Sequence, residues 1–82
     1  MKVWFITGVS RGLGHAIAAA ALAAGDRVIG TVRNGTAHIE NAGDRLHLLT
    51  VDLAKPGAAE AAARQALSVH GRIDVVVNNA GF

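Results

Sequence analysis

The chain has 82 residues, of which 51% are hydrophobic and 17% are charged, and it contains no cysteine. This composition excludes an intrinsically disordered chain, and the absence of cysteine excludes disulfides and thiolate metal sites. The formal net charge is only +2, and the arginines are scattered singly along the sequence, so binding to nucleic acid is not favoured.

The first third of the sequence predicts a strand, a glycine-rich turn and a helix. Residues 2–7 contain the continuous apolar run that a strand buried in a parallel sheet requires. Gly25 is well placed to end the following helix as its C′ residue. The predicted apolar stripe of this helix, at helical spacing, consists of Leu13, Ile17, Ala20, Ala21 and Ala24.

The rest of the sequence predicts three more strands and at least one helix. A helix is expected from Pro56, placed in its first turn, to about residue 69, with Gly71 as its stop, and a short helix is expected within residues 36–43. Alternating strands and helices indicate βαβ units and right-handed crossovers. The expected fold class is α/β, the N-terminal half of a Rossmann-like doubly wound parallel sheet (βαβαβαβ). The three further strands are predicted at residues 27–32, 46–51 and 73–77.

The turn between the first strand and the first helix reads TGVSRGLG over residues 7–14. Gly8 would let the chain leave the strand, Gly12 would let the backbone approach a pyrophosphate, and Gly14 would let the helix pack close to the sheet. The helix N-terminus would offer free N–H groups to the phosphates. The ordinary G-x-G-x-x-G fingerprint fails, because Ile17 stands where its third glycine belongs. Glycine spacing alone also fits a turn that binds no ligand.

The spacing T-G-x-x-x-G-x-G resembles the short-chain dehydrogenase/reductase family, and two later motifs extend the resemblance over essentially the whole chain. Asp52 and Leu53 follow the third strand, where the family places residues that contact adenine, and residues 78–81 match its N-N-A-G motif. The resemblance implies a nicotinamide dinucleotide cofactor. The cofactor-binding residues that it implies are Gly8, Ser10, Arg11, Gly12, Leu13, Gly14, Arg33, Asp52, Leu53, Asn79, Ala80 and Gly81.

Each of these motifs also fits a purely structural role. Asp52 could cap the turn that follows it, and the asparagines could satisfy backbone groups of the loop. In the family the first asparagine of N-N-A-G has partly a structural task, so we expect Asn79 rather than Asn78 to contact the cofactor. The four histidines show no metal-binding spacing and are interpreted as surface or loop residues, so no metal site is predicted.

The end of the second strand indicates which nicotinamide cofactor is used. NAD-binding sites commonly place an acidic residue there, whereas this sequence has Val32 followed by Arg33. A guanidinium can bind a 2′-phosphate in a bidentate manner, and Arg11 in the glycine turn is a second such group. The resemblance agrees, since NADP-preferring members often carry basic residues at these places. NADP is therefore expected over NAD, although both arginines could simply be solvated.

No catalytic residue is assigned. The family transfers hydride with a serine, a tyrosine and a lysine in a Y-x-x-x-K arrangement beyond N-N-A-G, and this sequence has no tyrosine. The valines of the fourth strand lack the charge or proline that blunts natural sheet edges. We therefore expect residues 1–82 to be a dinucleotide-binding segment that is truncated after the fourth strand and inactive alone.

Three functions remain open. The first is the cofactor-binding segment of a cytoplasmic NADP-dependent oxidoreductase, which acts on a carbonyl or alcohol substrate only in the complete protein. The second is a non-catalytic dinucleotide-binding module, and the third is an inactive truncated fragment. No membrane span is expected, and the resemblance leaves room for a homo-oligomer in the complete protein.

Overall fold

A parallel sheet with one helix on each face forms the computed structural model, which describes residues 1–40 and 42–79. The strand order is β3-β2-β1-β4, so β1 and β2 are the interior strands. The α/β class and the Rossmann-like parallel sheet predicted from the sequence are confirmed. The elements are β1 (Val3–Ile6), α1 (Gly12–Ala23), β2 (Arg27–Val32), β3 (Leu46–Thr50), α2 (Ala58–His70) and β4 (Val75–Val77).

The two interior strands bury side chains on both faces of the sheet. Successive strand residues point to opposite faces, which explains why β1 and β2 are continuous apolar runs. On one face the core is formed with α1, and on the other it is formed with α2. The first core contains Ile6, Val28, Val32, Ala18, Ala21 and Leu22, and the second contains Val3, Phe5, Ile29, Ala62 and Ala66.

Glycine ends both helices, as predicted. Gly25 has a φ of 90°, and its N–H donates to the carbonyl of Leu22 while the N–H of Asp26 donates to the carbonyl of Ala21, both at 3.0 Å. This pair of bonds is a Schellman motif. Gly71, with a φ of 76°, ends α2 and donates to the carbonyl of Leu67 at 2.9 Å.

Two carboxylates bind the N-terminal end of β1. Asp26 accepts from the backbone N–H of Lys2 at 2.9 Å, and Asp74 accepts from that of Val3 at 2.7 Å. The bond from Lys2, followed by one from the Trp4 indole, lowers the pKa of Asp26. The pKa of Asp74 is lowered by the bond from Val3 and then by the Arg72 guanidinium. Side chains that directly precede β2 and β4 therefore fix the start of β1.

The buried face of α1 differs from the prediction. Leu13, which was expected to begin the apolar stripe, is 67% exposed, and of the predicted stripe Ala21 is buried and Ile17 half-buried. Alanine on most sides of the helix gives little amphipathic contrast, so the stripe could not be placed by periodicity. The residues that α1 buries are Gly14, Ala18, Ala21 and Leu22.

The connections depart from the prediction at two points. Residues 36–40 and 42 form no helix, and one 3₁₀ turn follows at Gly43–Arg45; tertiary contacts fix this segment, since Ile39 is buried against α1. Pro56 lies before α2 and not in its first turn, because Gly57 adopts a left-handed conformation with a φ of 77°. Within the part of the chain that the structure describes, no helix has the length and apolar character to cross a membrane.

Candidate cofactor-binding site

The carboxyl ends of all four strands bring the predicted site residues to one edge of the sheet. Residues 7–14 follow β1, Arg33 follows β2, Asp52 follows β3, and residues 78–79 follow β4. The chain order reverses at β1, which has β2 on one side and β4 on the other. Open α/β sheets bind their ligands at such a switch point.

The glycines of the turn have conformational or steric reasons to be glycine. Gly8 and Gly12 have φ values of 73° and 67°, in the left-handed region that favours glycine. Gly14 is buried, and a Cβ there would lie 2.0 Å from the carbonyl oxygen of Gly8 and 2.6 Å from Nδ2 of Asn79. Gly14 was expected to approach the sheet, but the atoms nearest to it belong to the turn and to the loop after β4.

The turn is bound by β2 through residues that the sequence analysis did not single out. The N–H of Gly8 donates to Oγ1 of Thr31 at 2.9 Å, and the N–H of Val9 donates to the Thr31 carbonyl at 3.0 Å. The Val9 side chain is fully buried and lies directly over Gly30. The available signal was that Gly30 and Thr31 interrupt an apolar strand, since a glycine inside a strand often marks a close approach.

The loop after β4 also binds the turn, through Asn79. Its side-chain amide donates to the carbonyl of Gly8 at 3.1 Å, and its backbone N–H donates to Oγ1 of Thr7 at 2.9 Å. Asn78, for which we expected a structural task, accepts from Oγ1 of Thr7 at 3.4 Å, and Asn79 shares that task. Contact of Asn79 with a cofactor stays a prediction, while Ala80 and Gly81 lie outside the described residues.

The loop after β3 contains the two residues expected near adenine. Oδ1 of Asp52 accepts from the N–H of Ala54 at 3.1 Å, which is the turn-capping role that the sequence left open. Both Asp52 and Leu53 are half-buried at the site edge. Their contact with adenine stays a prediction.

The charge of this edge suits an anionic ligand. Arg11 precedes α1 and makes no side-chain cap, and the first turn of α1 contains no acidic residue. Arg11 and Arg33 are exposed, as are Ser10 and Leu13. Among residues 1–40 and 42–79, no atom would lie within 4 Å of a Cβ on Gly12, so these residues leave space beside the turn. Uncapped N–H groups, open space and two guanidinium groups fit the phosphates of a dinucleotide.

The four histidines lie in separate parts of the fold. Among residues 1–40 and 42–79, no three His, Cys, Asp or Glu residues are grouped to hold a metal ion. His38 and His47 are exposed as expected, but His15 and His70 are half-buried helix residues. Nε2 of His15 lies 3.0 Å from the carbonyl oxygen of His38. The pKa of His70 is lowered by burial and then by the nearby Arg27 and His47.

Comparison with known proteins identifies the family. A family model of the short chain dehydrogenases matches residues 2–82. The chain belongs to the short-chain dehydrogenase family. This match confirms the resemblance drawn from the three motifs. The family comprises oxidoreductases that use a nicotinamide dinucleotide.

Individual short-chain dehydrogenases match this chain over nearly all of its length. Oxidoreductase BOA17 of Botryotinia fuckeliana is 45% identical over 85 residues, which cover 99% of this chain and 31% of the relative. A short-chain dehydrogenase from Streptomyces avermitilis has a TM-score of 0.79 and 41% identity over 96% of this chain and 31% of its own. A metagenomic short-chain oxidoreductase, solved in complex with NADP, has a TM-score of 0.78 and 36% identity, and the match covers 99% of this chain and 39% of that protein. The chain thus spans about a third of the length of these proteins.

Proposed function

We propose that this chain is the cofactor-binding segment of an NADP-dependent short-chain oxidoreductase. In the complete protein, hydride would pass between NADP(H) and a carbonyl or alcohol substrate. The observation that carries the proposal is the uncapped N-terminus of α1 at the switch point, with Arg11 and Arg33 at the same edge and no acidic residue in the first helical turn. The absence of cysteine agrees with a cytoplasmic location.

The residues of the turn would bind the diphosphate of the cofactor. The backbone N–H groups at the start of α1, from Gly12 onward, would donate to phosphate oxygens, with the helix dipole adding to the attraction. The exposed side chain of Ser10 lies in the same turn. The close contact at Gly14 keeps the helix N-terminus against the turn. Hydride donation or acceptance would be supplied by the bound nicotinamide.

The cofactor preference would come from the two arginines. A 2′-phosphate is present in NADP and absent from NAD, and a guanidinium binds it in a charge-assisted, bidentate manner. Arg33 follows β2, the strand at whose end NAD-binding sites commonly carry a carboxylate. Support also comes from the structural relative that was solved with NADP. Each contact would stabilise NADP over NAD by about 1.5–3 kcal/mol, or roughly 10- to 100-fold.

Arg33→Ala tests the preference in the full-length protein. NADPH and NADH dissociation constants are measured by titration in the parent, in Arg33→Ala and in Arg11→Ala. We expect the parent to prefer NADPH and each variant to lose about 10- to 100-fold in NADPH affinity with little change for NADH. Arg64→Ala is the control, because it removes one exposed positive charge from α2, where Arg64 pairs with Glu60. Equal affinity of the parent for both nucleotides would refute the preference.

A non-catalytic dinucleotide-binding module is the second candidate function. The observation that favours it is that the described site residues, at the N-terminus of α1 and at Arg11 and Arg33, all suit the phosphates of a dinucleotide. Both functions require the same cofactor site. They are separated by assaying NADPH-dependent reduction of carbonyl compounds by the full-length protein. Tight NADPH binding without turnover over a broad substrate panel would favour the binding module.

A further inference from the structure

Strand β2 fixes the glycine turn through two adjacent residues that the cofactor itself need not contact. We propose that Thr31 is a positioning residue for the dinucleotide, and that Gly30 supports it by accommodating Val9. This role rests on the proposed function, because it concerns how the turn is held ready for the phosphates. It assigns to β2 a task beyond carrying Arg33 at its end.

Thr31 accepts the N–H groups of Gly8 and Val9, the second and third residues of the turn. Its hydroxyl oxygen binds the N–H of Gly8 at 2.9 Å, and its carbonyl oxygen binds that of Val9 at 3.0 Å. Thr31 is 1% exposed, so water cannot readily replace the hydroxyl as acceptor. A buried N–H that loses its partner is costly, and the turn would move to recover one.

Val9 and Gly30 fix the turn sterically. Val9 is fully buried in the core beneath α1, and a Cβ on Gly30 would lie 2.6 Å and 2.8 Å from its two methyl carbons. A side chain at position 30 would therefore push Val9, and the turn with it, away from the sheet. Adjacent strand residues point to opposite faces, so Gly30 and Thr31 hold the turn from both sides of β2.

These contacts determine which N–H groups remain for a ligand. Those of Gly8 and Val9 are used inside the protein, whereas the N-terminus of α1 has no side-chain cap. The phosphates would bind the N–H groups after Val9, and Thr31 sets where those groups lie. Both nucleotides share the diphosphate, so loss of the Thr31 hydroxyl should weaken NADPH and NADH by the same factor. Loss of Arg33 should instead change the ratio of the two affinities.

The test compares Thr31→Val, which removes the hydroxyl at nearly constant shape, with Thr31→Ser, which keeps it. In the full-length protein we expect Thr31→Val to weaken both nucleotides by about tenfold with an unchanged ratio, and Thr31→Ser to bind both like the parent. Ile29→Val is the matched control, because Ile29 is a buried neighbour on β2 that packs in the core beneath α2. It should lower the melting temperature and leave both dissociation constants unchanged.

Substitutions that change the size of the side chains at positions 30 and 9 test independently whether Gly30 accommodates Val9. Gly30→Ala should weaken both nucleotides, and the double variant Val9→Ala/Gly30→Ala should recover affinity because the clashing methyl groups are gone. Without nucleotide, the Gly8 amide should exchange faster in Thr31→Val than in Thr31→Ser.

Any one of three results would overturn the role of Thr31 without affecting the proposed function. These are parent-like nucleotide binding by Thr31→Val, an equal loss of affinity in Ile29→Val, and an unchanged exchange rate of the Gly8 amide in Thr31→Val. A parent that binds neither NADPH nor NADH would instead overturn the proposed function and this role with it.

Discussion

Replacing Gly14 by alanine sets helix propensity against tertiary packing. Gly14 lies inside α1 without a positive φ, so propensity alone predicts that alanine stabilises the helix by about 1 kcal/mol. The structure predicts the opposite result. The new Cβ would lie 2.0 Å from the carbonyl oxygen of Gly8, far inside the 3.4–4 Å range of ordinary van der Waals contact.

The size of the expected loss of stability follows from the contacts that the new Cβ would displace. Overpacking of this kind typically costs ~1–3 kcal/mol, and displacing the Asn79 amide from the Gly8 carbonyl, a bond of 3.1 Å, costs a further ~0.5–1.5 kcal/mol. After the propensity gain of ~1 kcal/mol is subtracted, we expect a net loss of about 2 kcal/mol in the free energy of unfolding. Valine at position 14 should destabilise more and abolish cofactor binding.

Urea denaturation of the full-length protein measures this loss, and NADPH titration measures its effect on the site. Ala16→Gly is the control, because Ala16 is an exposed residue of α1. This variant should lower the free energy of unfolding only by the difference in helix propensity, about 1 kcal/mol. A Gly14→Ala protein that is as stable as the parent, or more stable, and that still binds NADPH would refute the close contact.

Three further predictions concern acid stability, self-association and helix ending. Because the pKa values of Asp26 and Asp74 are lowered, their stabilisation is complete above the ordinary value of 3.8 and is lost as the pH falls through the folded pKa. Asp26→Asn should therefore lower the melting temperature more at about pH 7 than at a pH below 3.8, where the loss shrinks as the pH falls, and equal losses would contradict this. Residues 1–82 expressed alone should show no dehydrogenase activity and should associate through β4, where Val76 is 63% exposed. Val76→Lys should reduce this association, as measured by gel filtration. A monomer with a sharp melting transition would contradict the expected association. Gly25→Ala should lower the free energy of unfolding, measured by urea denaturation, by about 1–2 kcal/mol, because the φ of 90° at this position disfavours a side chain. An unchanged urea midpoint would show that the substitution causes no backbone strain.

Patterns local in sequence predicted the sheet well. Four short apolar runs, each followed by turn residues, located the strands, and Gly25 and Gly71 marked the helix ends correctly. The alternation of strands and helices predicted the parallel sheet, and the family motifs placed the candidate site at the ends of the strands. Each signal needs only a few neighbouring residues, because an apolar run or a helix-ending glycine can be recognised without knowing what it packs against.

Contacts between distant residues could not be predicted in the same way. The orientation of α1 depends on how closely Gly14 meets Gly8 and Asn79, and an alanine-rich helix carries too little polarity to reveal it. The bond from Gly8 to Thr31 spans 23 residues, and no spacing rule pairs the two. Proline at 56 suggested a helix start, but the left-handed Gly57 moved the start beyond it.

The position of β1 in the sheet has a consequence for folding during synthesis. β1 leaves the ribosome before the other three described strands, yet it pairs with β4, and its Val3 N–H donates to Asp74 across a separation of 71 residues. Contacts between residues so far apart form slowly, since a long loop must close first. Trp4 and Phe5 therefore lack one strand neighbour until β4 has emerged. During that interval the nascent chain offers an apolar strand with an open edge, which is the kind of segment that chaperones protect.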